Sequence, residues 1–403
     1  MNGFNITVGI FGGLGLFLFG MKIMSEALQM AAGDRLKGIL WKVTNNRIAG
    51  VLTGVGITSI IQSSSATTVM LVSFVSAGLI TLTQSVGIIL GANIGTTTTG
   101  WLVALFGFKI NIASFALPAI GLGFFIRFVN NEKLKHYGEV LLGFGLLFFG
   151  LDIMSGAVRD LRGSEAVMGF MSSYHADSVL TTLLVVLIGS VVTMIVQSSS
   201  ATMAMTMTLA VHGIIDFSTA CALVLGENIG TTITANIASI GASVDARRSA
   251  RVHMIFNIIG VCWVVSMFHW GVVPLVDRIV PGDPFSVLLT ERSKVIADHL
   301  ATFHTFFNVT NTLIFLPFIK VLTSIAVKIV PENKDMTDRG ATHLIYISTT
   351  LVSTPTINLN QAMMEIRRMM GLAIEMFDMV MSCLLYTSPS PRDRTRSRMP
   401  SSA

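Results

Sequence analysis

Two short runs of amide and hydroxyl side chains are the residues of this chain whose types and spacing could do chemistry. The first reads Gln62-Ser63-Ser64-Ser65-Ala66-Thr67, and the second reads Gln197-Ser198-Ser199-Ser200-Ala201-Thr202. Each run lies in an apolar, uncharged segment long enough to enter or cross a bilayer. Buried hydroxyl and amide groups are costly unless each finds a partner. The two runs therefore predict a polar site inside a membrane, built from both halves of the chain.

These side chains suit the binding of an anion and a cation side by side. A helix interrupted at such a run directs free N–H groups and the positive end of its dipole at an anion, and the freed carbonyls suit Na+. Neither motif segment contains Lys or Arg, so a divalent oxyanion would need a co-bound cation. This favours a cation-coupled anion transporter over an Arg-lined pore. The alternative is small-residue helix packing with interhelical hydrogen bonds.

A second motif is also duplicated, as 91–97 and 226–232, each reading Gly-Xaa-Asn-Ile-Gly-Thr-Thr. Its glycines are typical of close helix packing, whereas its Asn and Thr residues are expected to line the site or to hold its interrupted helices. Glu227 is an intramembrane carboxylate and is predicted to be a cation ligand or a proton carrier. The candidate substrate- and ion-binding residues are Gln62, Ser63, Ser64, Ser65, Thr67, Asn93, Thr96, Thr97, Gln197, Ser198, Ser199, Ser200, Thr202, Glu227, Asn228, Thr231 and Thr232.

Composition indicates a polytopic membrane protein. Of the 403 residues, 52% are hydrophobic and 12% are charged, and the mean hydropathy is +0.72, whereas soluble domains carry about 25% charged residues. Several apolar segments are broken by polar or Gly-rich runs, which predicts discontinuous or re-entrant helices. The segments are 5–30, 48–80, 82–108, 110–129, 138–158, 178–211, 217–242, 252–276 and 299–330.

An internal repeat organises the chain. Gln62 and Gln197 are separated by 135 residues, as are Asn93 and Asn228. Repeats with interrupted helices at matching positions are typical of secondary transporters. We therefore predict an all-α polytopic membrane protein of two inverted repeats with discontinuous or re-entrant helices. The predicted parts are transmembrane repeats at 1–136 and 137–275, an additional transmembrane helix with its flanks at 276–335, a truncated helical domain at 353–382 and a non-native tail at 383–403.

The end of the chain has a different character. Apolar and charged residues alternate at helical spacing between Leu359 and Asp378, which predicts an amphipathic helix that opens a soluble domain. The net charge of +5 includes four arginines at 392–398, and this tail is interpreted as non-native. The basic charge therefore does not indicate a nucleic-acid partner.

Two further patterns have more than one interpretation. The stretch Gly20-Met-Lys22-Ile-Met24-Ser25 matches Gly150-Leu-Asp152-Ile-Met154-Ser155 at an offset of 130 residues. Lys22 and Asp152 therefore occupy equivalent positions in the two repeats, and we expect them to pair if the symmetry axis brings them together. His253 and His304 each precede a Phe-Asn pair in a shared His-x-x-Phe-Asn pattern. These histidines indicate either polar helix contacts or groups that titrate during transport.

The paired Gln-Ser-Ser-Ser motifs, taken with Gly-Ala-Asn-Ile-Gly-Thr-Thr, resemble the type II sodium/phosphate cotransporters and their bacterial members. The resemblance covers about residues 1–330 and implies two inverted repeats around a central site for phosphate and Na+. It carries over Gln62, Ser63, Ser64, Ser65, Gln197, Ser198, Ser199 and Ser200 as that site. The helix at 355–382 is similar to the start of the PhoU-like domain of bacterial members.

The resulting functional expectation is a sodium-coupled phosphate symporter that works by alternating access. It would have no cofactor beyond Na+ as coupling ion, would not be an enzyme, and would lie in the plasma membrane, as a multi-pass protein of the bacterial inner membrane. Its partners would be phosphate, Na+, the lipid bilayer and, in a homodimer, a second copy of the chain. The alternatives are a phosphate-binding membrane sensor that signals through the PhoU-like domain, a phosphate exporter, and an intramembrane serine hydrolase with His253 or His304 as its base.

Overall fold

The computed structural model describes residues 3–32, 46–109, 113–171, 174–332 and 355–385. All regular elements in these ranges are helices. The chain divides into two compact units, Met1–Glu332 and Asn333–Ala403. The described part of the second unit is one amphipathic helix, named α16 below, which extends the predicted helix by a few residues at its C-terminal end. The boundary between the two repeats within the first unit remains a prediction.

Within its described residues, the first half of the larger unit contains five α-helices. The predicted segment 48–80 forms two helices that meet at the first Gln-Ser-Ser-Ser run. The span that begins at Leu82 ends in a π-helical stretch, Val103–Lys109. The helices are α1 (Gly3–Ala32), α2 (Arg47–Ile61), α3 (Ser64–Ser76), α4 (Leu82–Leu102) and α5 (Ala113–Ile126).

The second half repeats this order. The predicted segment 178–211 is again divided at its motif run, and the segment 217–242 is divided at Thr231. Its helices are α6 (Glu132–Leu161), α7 (Glu165–Met171), α8 (Val179–Val196), α9 (Ser199–Val211), α10 (Phe217–Gly230) and α11 (Thr232–Ala238).

The remaining helices of this unit follow the second motif pair. A π-helical stretch, Phe268–Val272, separates helices α12 and α13, and helices α14 and α15 are bent by 86° at a short break between them. They are α12 (Val244–Ser266), α13 (Val273–Ile279), α14 (Leu289–Phe315) and α15 (Ile319–Ile329), and the helix of the second unit is α16 (Pro355–Leu385).

Five helices in the described ranges are long and apolar enough to span a bilayer, and the bent α14–α15 pair makes up to six. Side chains such as Phe125, Leu180 and Trp270 lie exposed on the outer surface, as expected for residues that face lipid. The chain is a multi-pass membrane protein. The five helices that are long and apolar enough to span a bilayer are α1, α4 with its π-helical extension, α6, α8 and α12.

Glycines determine how closely the equivalent helices α1 and α6 approach each other. A Cβ atom at Gly13 would lie 2.7 Å from the carbonyl oxygen of Gly150, and one at Gly20 would lie 2.6 Å from that of Gly143. The backbones therefore touch directly, as small residues allow in membranes. The residue number rises along α1 as it falls along α6, so the two helices are antiparallel.

This antiparallel packing shows that the expected pairing of Lys22 with Asp152 is wrong. With Gly20 opposite Gly143, the two charged residues lie about eleven residues apart along the helix axis, or roughly 16 Å at 1.5 Å per residue. The ion pair that Lys22 makes instead is with Glu26, one turn along α1. Equivalent positions of two antiparallel helices face each other only near the middle of their contact, and these two lie away from it.

The second set of close contacts is the same in both halves. A Cβ atom at Gly91 of α4 would lie 1.9 Å from the carbonyl oxygen of Val51 in α2, and one at Gly226 of α10 would lie 2.2 Å from that of Val186 in α8. Both contacts follow the 135-residue offset of the sequence repeat. The glycines of the second motif thus let each interrupted helix lie directly against its neighbour, as the sequence predicted.

Candidate functional site

Both motif runs interrupt the chain of helices at the same two positions. Gln62 ends α2 in the left-handed region at φ 57°, and Gln197 ends α8 at φ 56°. The next residue in each run is an extended serine, Ser63 or Ser198, whose Oγ accepts a hydrogen bond from the N–H three residues later, at 3.1 and 3.3 Å respectively. The serine side chain thus caps a new helix directly after the left-handed residue stops the old one.

This local geometry creates two helix N-termini inside the unit. Helix α3 begins at Ser64 and helix α9 at Ser199. The first N–H groups of a helix have no acceptor within the helix, and the dipole adds partial positive charge there. Each run therefore presents hydroxyl groups together with backbone donors, which is the arrangement that binds anions.

The two runs meet in one cavity of about 420 Å³. Its wall contains the eight residues that the family resemblance carries over, and it also contains side chains from α1. The neutral lining residues outside α1 are Gln62, Ser63, Ser64, Ser65, Ala66, Val196, Gln197, Ser198, Ser199 and Ser200. The structure thus brings the two motif runs together around one space, although they are 135 residues apart in sequence.

The wall from α1 was missed by the sequence analysis. It contributes Leu18 and Met21 together with a polar stripe. The motif segments contain no cationic residue, but the cavity wall does contain one, because this stripe includes a lysine. Its spacing of three to four residues in an otherwise apolar helix was the available signal. The stripe consists of Lys22, Ser25, Glu26 and Gln29.

Helix α1 is fixed to the first motif through this stripe. Ser25 Oγ donates to the carbonyl oxygen of Ile61 at 2.5 Å, and Gln29 Nε2 donates to Ser25 Oγ at 3.2 Å. Ile61 is the last residue of α2, where carbonyl groups have no partner further along the helix. The stripe therefore satisfies a backbone group freed by the helix interruption.

The two glutamines differ although their backbones match. Gln62 is 8% exposed, and its side chain donates to Thr98 Oγ1 at 3.1 Å and accepts from Thr99 Oγ1 at 2.9 Å. Gln197 is exposed to the cavity, and within the described ranges its amide has no hydrogen-bond partner. The residue equivalent to Thr99 is Thr234, whose buried Oγ1 also lacks a partner there. One amide is thus held in place while the other is free.

Thr67 and Thr202 lie just behind the cavity wall, one turn inside α3 and α9. Each Oγ1 donates to the carbonyl oxygen four residues earlier, that of Ser63 or Ser198, at 3.0 Å. Thr67 Oγ1 also accepts from Thr58 Oγ1 at 3.1 Å. These two threonines therefore hold the capping serines in position, and their role as direct ligands stays a prediction.

The Asn and Thr residues of the second motif lie outside the cavity lining in both halves. Each Asn side chain donates to the carbonyl oxygen four residues earlier, for Asn93 at 2.9 Å and for Asn228 at 2.7 Å. The threonine hydroxyls likewise donate to carbonyl groups three or four residues earlier in the chain, at 2.7–3.0 Å. The geometry supports a role in holding the helices, and binding by these residues stays a prediction. The threonines are Thr96, Thr97, Thr231 and Thr232.

Glu227 is also outside the cavity lining. It is 2% exposed, and its Oε1 accepts a hydrogen bond from Thr206 Oγ1 of α9 at 2.8 Å. The equivalent position in the first half is Ala92. Glu227 therefore connects α10 to α9, the helix that begins at the second Gln-Ser-Ser-Ser run. Its role as cation ligand or proton carrier stays a prediction.

The His-x-x-Phe-Asn patterns are buried between helices. His253, Asn257, His304 and Asn308 are each at most 4% exposed. Asn257 Nδ2 lies 3.4 Å from Asn93 Oδ1, which links α12 to α4. Within the described part of the chain, the Nδ1 atom of each histidine and the Oδ1 atom of each of these asparagines have no hydrogen-bond partner. These residues make polar helix contacts, and titration during transport stays a prediction.

Known proteins are similar in sequence to this chain over the segments that carry both motifs. The sequence model of the Na+/Pi-cotransporter family matches residues 16–156 and 165–273, which include both copies of both motifs. The uncharacterized protein YqeW of Bacillus subtilis is 32% identical over 79% of this chain and 96% of its own length. No solved structure gives a significant match.

Two named transport proteins are also similar. The putative inorganic phosphate export protein YjbB of Salmonella typhimurium is 28% identical over 88% of this chain, and the match spans 61% of its own length. The sodium-dependent phosphate transport protein 2A of Rattus norvegicus is 39% identical over a shorter region, which covers 23% of this chain and 15% of its own. This chain therefore spans less than two thirds of the length of either.

Proposed function

The chain belongs to the Na+/Pi-cotransporter family, and on that premise we propose that it carries inorganic phosphate across a membrane, coupled to Na+, by alternating access to the motif-lined cavity. The observation that carries this proposal is that both Gln-Ser-Ser-Ser runs and two helix N-termini face one cavity. Phosphate is a tetrahedral oxyanion that accepts several hydrogen bonds. Serine hydroxyls and first-turn N–H groups are suitable donors for it.

Sodium coupling is supported by the electrostatics of the same site. The cavity wall holds one lysine and one glutamate, so its described side chains are neutral in total. A divalent anion in such a space remains uncompensated until cations bind with it. Carbonyl groups freed at the ends of α2 and α8 are oxygen ligands of the kind that Na+ accepts.

Uptake into proteoliposomes tests the proposal. Phosphate uptake is compared under an inward Na+ gradient and an equal K+ gradient, for the wild type and for Ser64→Ala and Ser199→Ala. We expect Na+-dependent uptake in the wild type and a loss of at least about tenfold in both variants, because each loses a cavity hydroxyl at a helix N-terminus. Ser73→Ala is the control, since Ser73 lies in the same helix as Ser64, away from the cavity, and bonds to Val69 O.

Two results would contradict the proposal. Equal uptake under Na+ and K+ gradients would reject Na+ as the coupling ion, and phosphate binding without transport would favour the sensor.

Net export is a second candidate function because a relative that covers most of this chain is named for it. Phosphate-loaded vesicles with Na+ inside measure it: an efflux that exceeds uptake under mirrored gradients would establish the preferred direction.

A further inference from the structure

The charge of the cavity wall comes from α1 alone. Lys22 is the one cationic side chain and Glu26 the one carboxylate among the described residues that line the cavity. The equivalent positions in the second half are Asp152 and Gly156, and neither lines it. The charge therefore breaks the symmetry of the two motif runs, and α1 supplies it on one side of the space.

Lys22 is only loosely paired with Glu26. The Nζ–Oε1 distance is 3.9 Å, longer than the 2.7–2.9 Å of a charge-assisted hydrogen bond, and the two side chains are 70% and 54% exposed. Exposed pairs of this type stabilise a protein by at most about 1 kcal/mol. An anion that enters the cavity can therefore replace Glu26 as the ion-pair partner of Lys22, and the free energy lost with the original ion pair is small.

The backbone that carries Lys22 is well fixed. Gly20, two residues before it, packs against the backbone of α6, and Ser25, three residues after it, bonds to the end of α2 next to Gln62. A flexible ammonium group on a rigid helix can reach a ligand without moving the helix. The side chain is thus attached to a fixed backbone and lines the cavity that the two motif runs share.

We propose that Lys22 is an anion-positioning residue of this cavity, which exchanges Glu26 for an oxygen of the bound phosphate, while Glu26 competes with the anion for it. This inference rests on the proposed function and deepens it. The serines and glutamines recognise the shape and the hydrogen-bonding pattern of the oxyanion, and the lysine selects its charge. Removing the two charged groups should therefore have opposite effects on phosphate affinity.

The test measures the KM and the maximal rate of Na+-driven phosphate uptake for Lys22→Gln, Lys22→Arg and Glu26→Gln. We expect Lys22→Gln to raise KM about tenfold, the effect of one charge-assisted contact, and Lys22→Arg to stay within about threefold of the wild type. Glu26→Gln should lower KM, because the lysine loses its competitor. Lys328→Gln is the control, since that lysine is exposed at the end of α15, outside the cavity lining.

The opposite signs separate this role from a structural one. If the pair only held α1 in place, Lys22→Gln and Glu26→Gln would impair uptake alike and lower the melting temperature alike, and the inference would be rejected. An unchanged KM in Lys22→Gln would reject it too. Binding of radioactive phosphate to the purified protein is measured in parallel. A wild type that binds without transport overturns the proposed function, while the Kd of Lys22→Gln still decides the role of Lys22; a wild type that does neither overturns both.

Discussion

At the scale of single residues, the left-handed glutamines concentrate backbone strain at the cavity. A non-glycine residue in this region costs about 1 kcal/mol or more relative to glycine. The hydrogen bonds of the Gln62 side chain to Thr98 and Thr99 offset part of this free-energy cost. Within the described residues, the Gln197 side chain makes no such hydrogen bond. The same strain is thus compensated in one half and uncompensated in the other.

This asymmetry predicts different stabilities for two matched substitutions. Gln197→Gly should raise the free energy of unfolding by about 1 kcal/mol, because it only relieves strain. Gln62→Gly should lower it, because three side-chain hydrogen bonds of about 1 kcal/mol each, to Ser59 O, Thr98 Oγ1 and Thr99 Oγ1, are lost. Thermal unfolding of the purified variants in detergent measures both. Equal shifts in the two variants would contradict the difference between the halves.

Residue types also determine what the sequence could reveal. The duplicated motifs identified the interrupted helices and the eight motif residues of the cavity wall, because left-handed ends and serine caps are local features of the chain. The stripe from Lys22 to Gln29 escaped notice because nothing in the sequence of α1 specifies that this helix packs beside the first motif run, and the site was sought only in the motif segments. The pairing of Lys22 with Asp152 failed because equal repeat positions do not specify a distance, which depends on the packing angle and axis.

At the scale of elements, the contact between α1 and α6 depends on glycines on one face only. A Cβ at Gly20 would lie 2.3 Å from the backbone nitrogen of Leu147, whereas one at Gly15 would have no heavy atom within 4 Å. The two glycines are thus a matched pair on the same helix. The first allows a close approach, and the second lies on the open side of α1.

We expect Gly20→Ala to lower the free energy of unfolding by about 1–3 kcal/mol, because the methyl group forces two backbones apart. Gly15→Ala should leave it unchanged or raise it by up to about 1 kcal/mol, because alanine is the better helix former. Thermal unfolding checks both variants. The contact would lose its assigned importance if Gly20→Ala were as stable as Gly15→Ala.

At the scale of the whole unit, a histidine links the two halves of the second repeat. His212 lies in the turn after α9, outside the candidate spans, and its Nε2 is 2.6 Å from Ser155 Oγ of α6. Burial lowers the pKa of His212 below its ordinary value of 6.5, and the charges of Arg159 and Arg162 act in the same direction. The folded protein therefore favours the neutral imidazole more strongly than the unfolded chain does.

The lowered pKa has a defined consequence for stability. Because the unfolded chain binds the proton more readily, the contribution of neutral His212 is complete above the ordinary pKa of 6.5 and is lost as the pH falls below it. We expect the melting temperature to fall between about pH 7.5 and about pH 5.5, and His212→Gln to remove part of that fall. A fall of the same size in the variant would assign the pH dependence to other groups.

The seam between α1 and α6 has an implication for the origin of the molecule. Gly13 contacts Gly150, and Gly20 contacts Gly143. In the sequence repeat, Gly13 corresponds to Gly143 and Gly20 to Gly150. The two contacts are therefore made by the same pair of repeat positions, with the two helices exchanged. Such reciprocity is the rule for an isologous interface between two identical subunits. A chain of half this length, carrying one copy of this helix, could have associated with itself through the same glycines. In such a dimer the two positions would carry the same residue, so the difference between Lys22 and Asp152 could arise only after a covalent link had joined two copies.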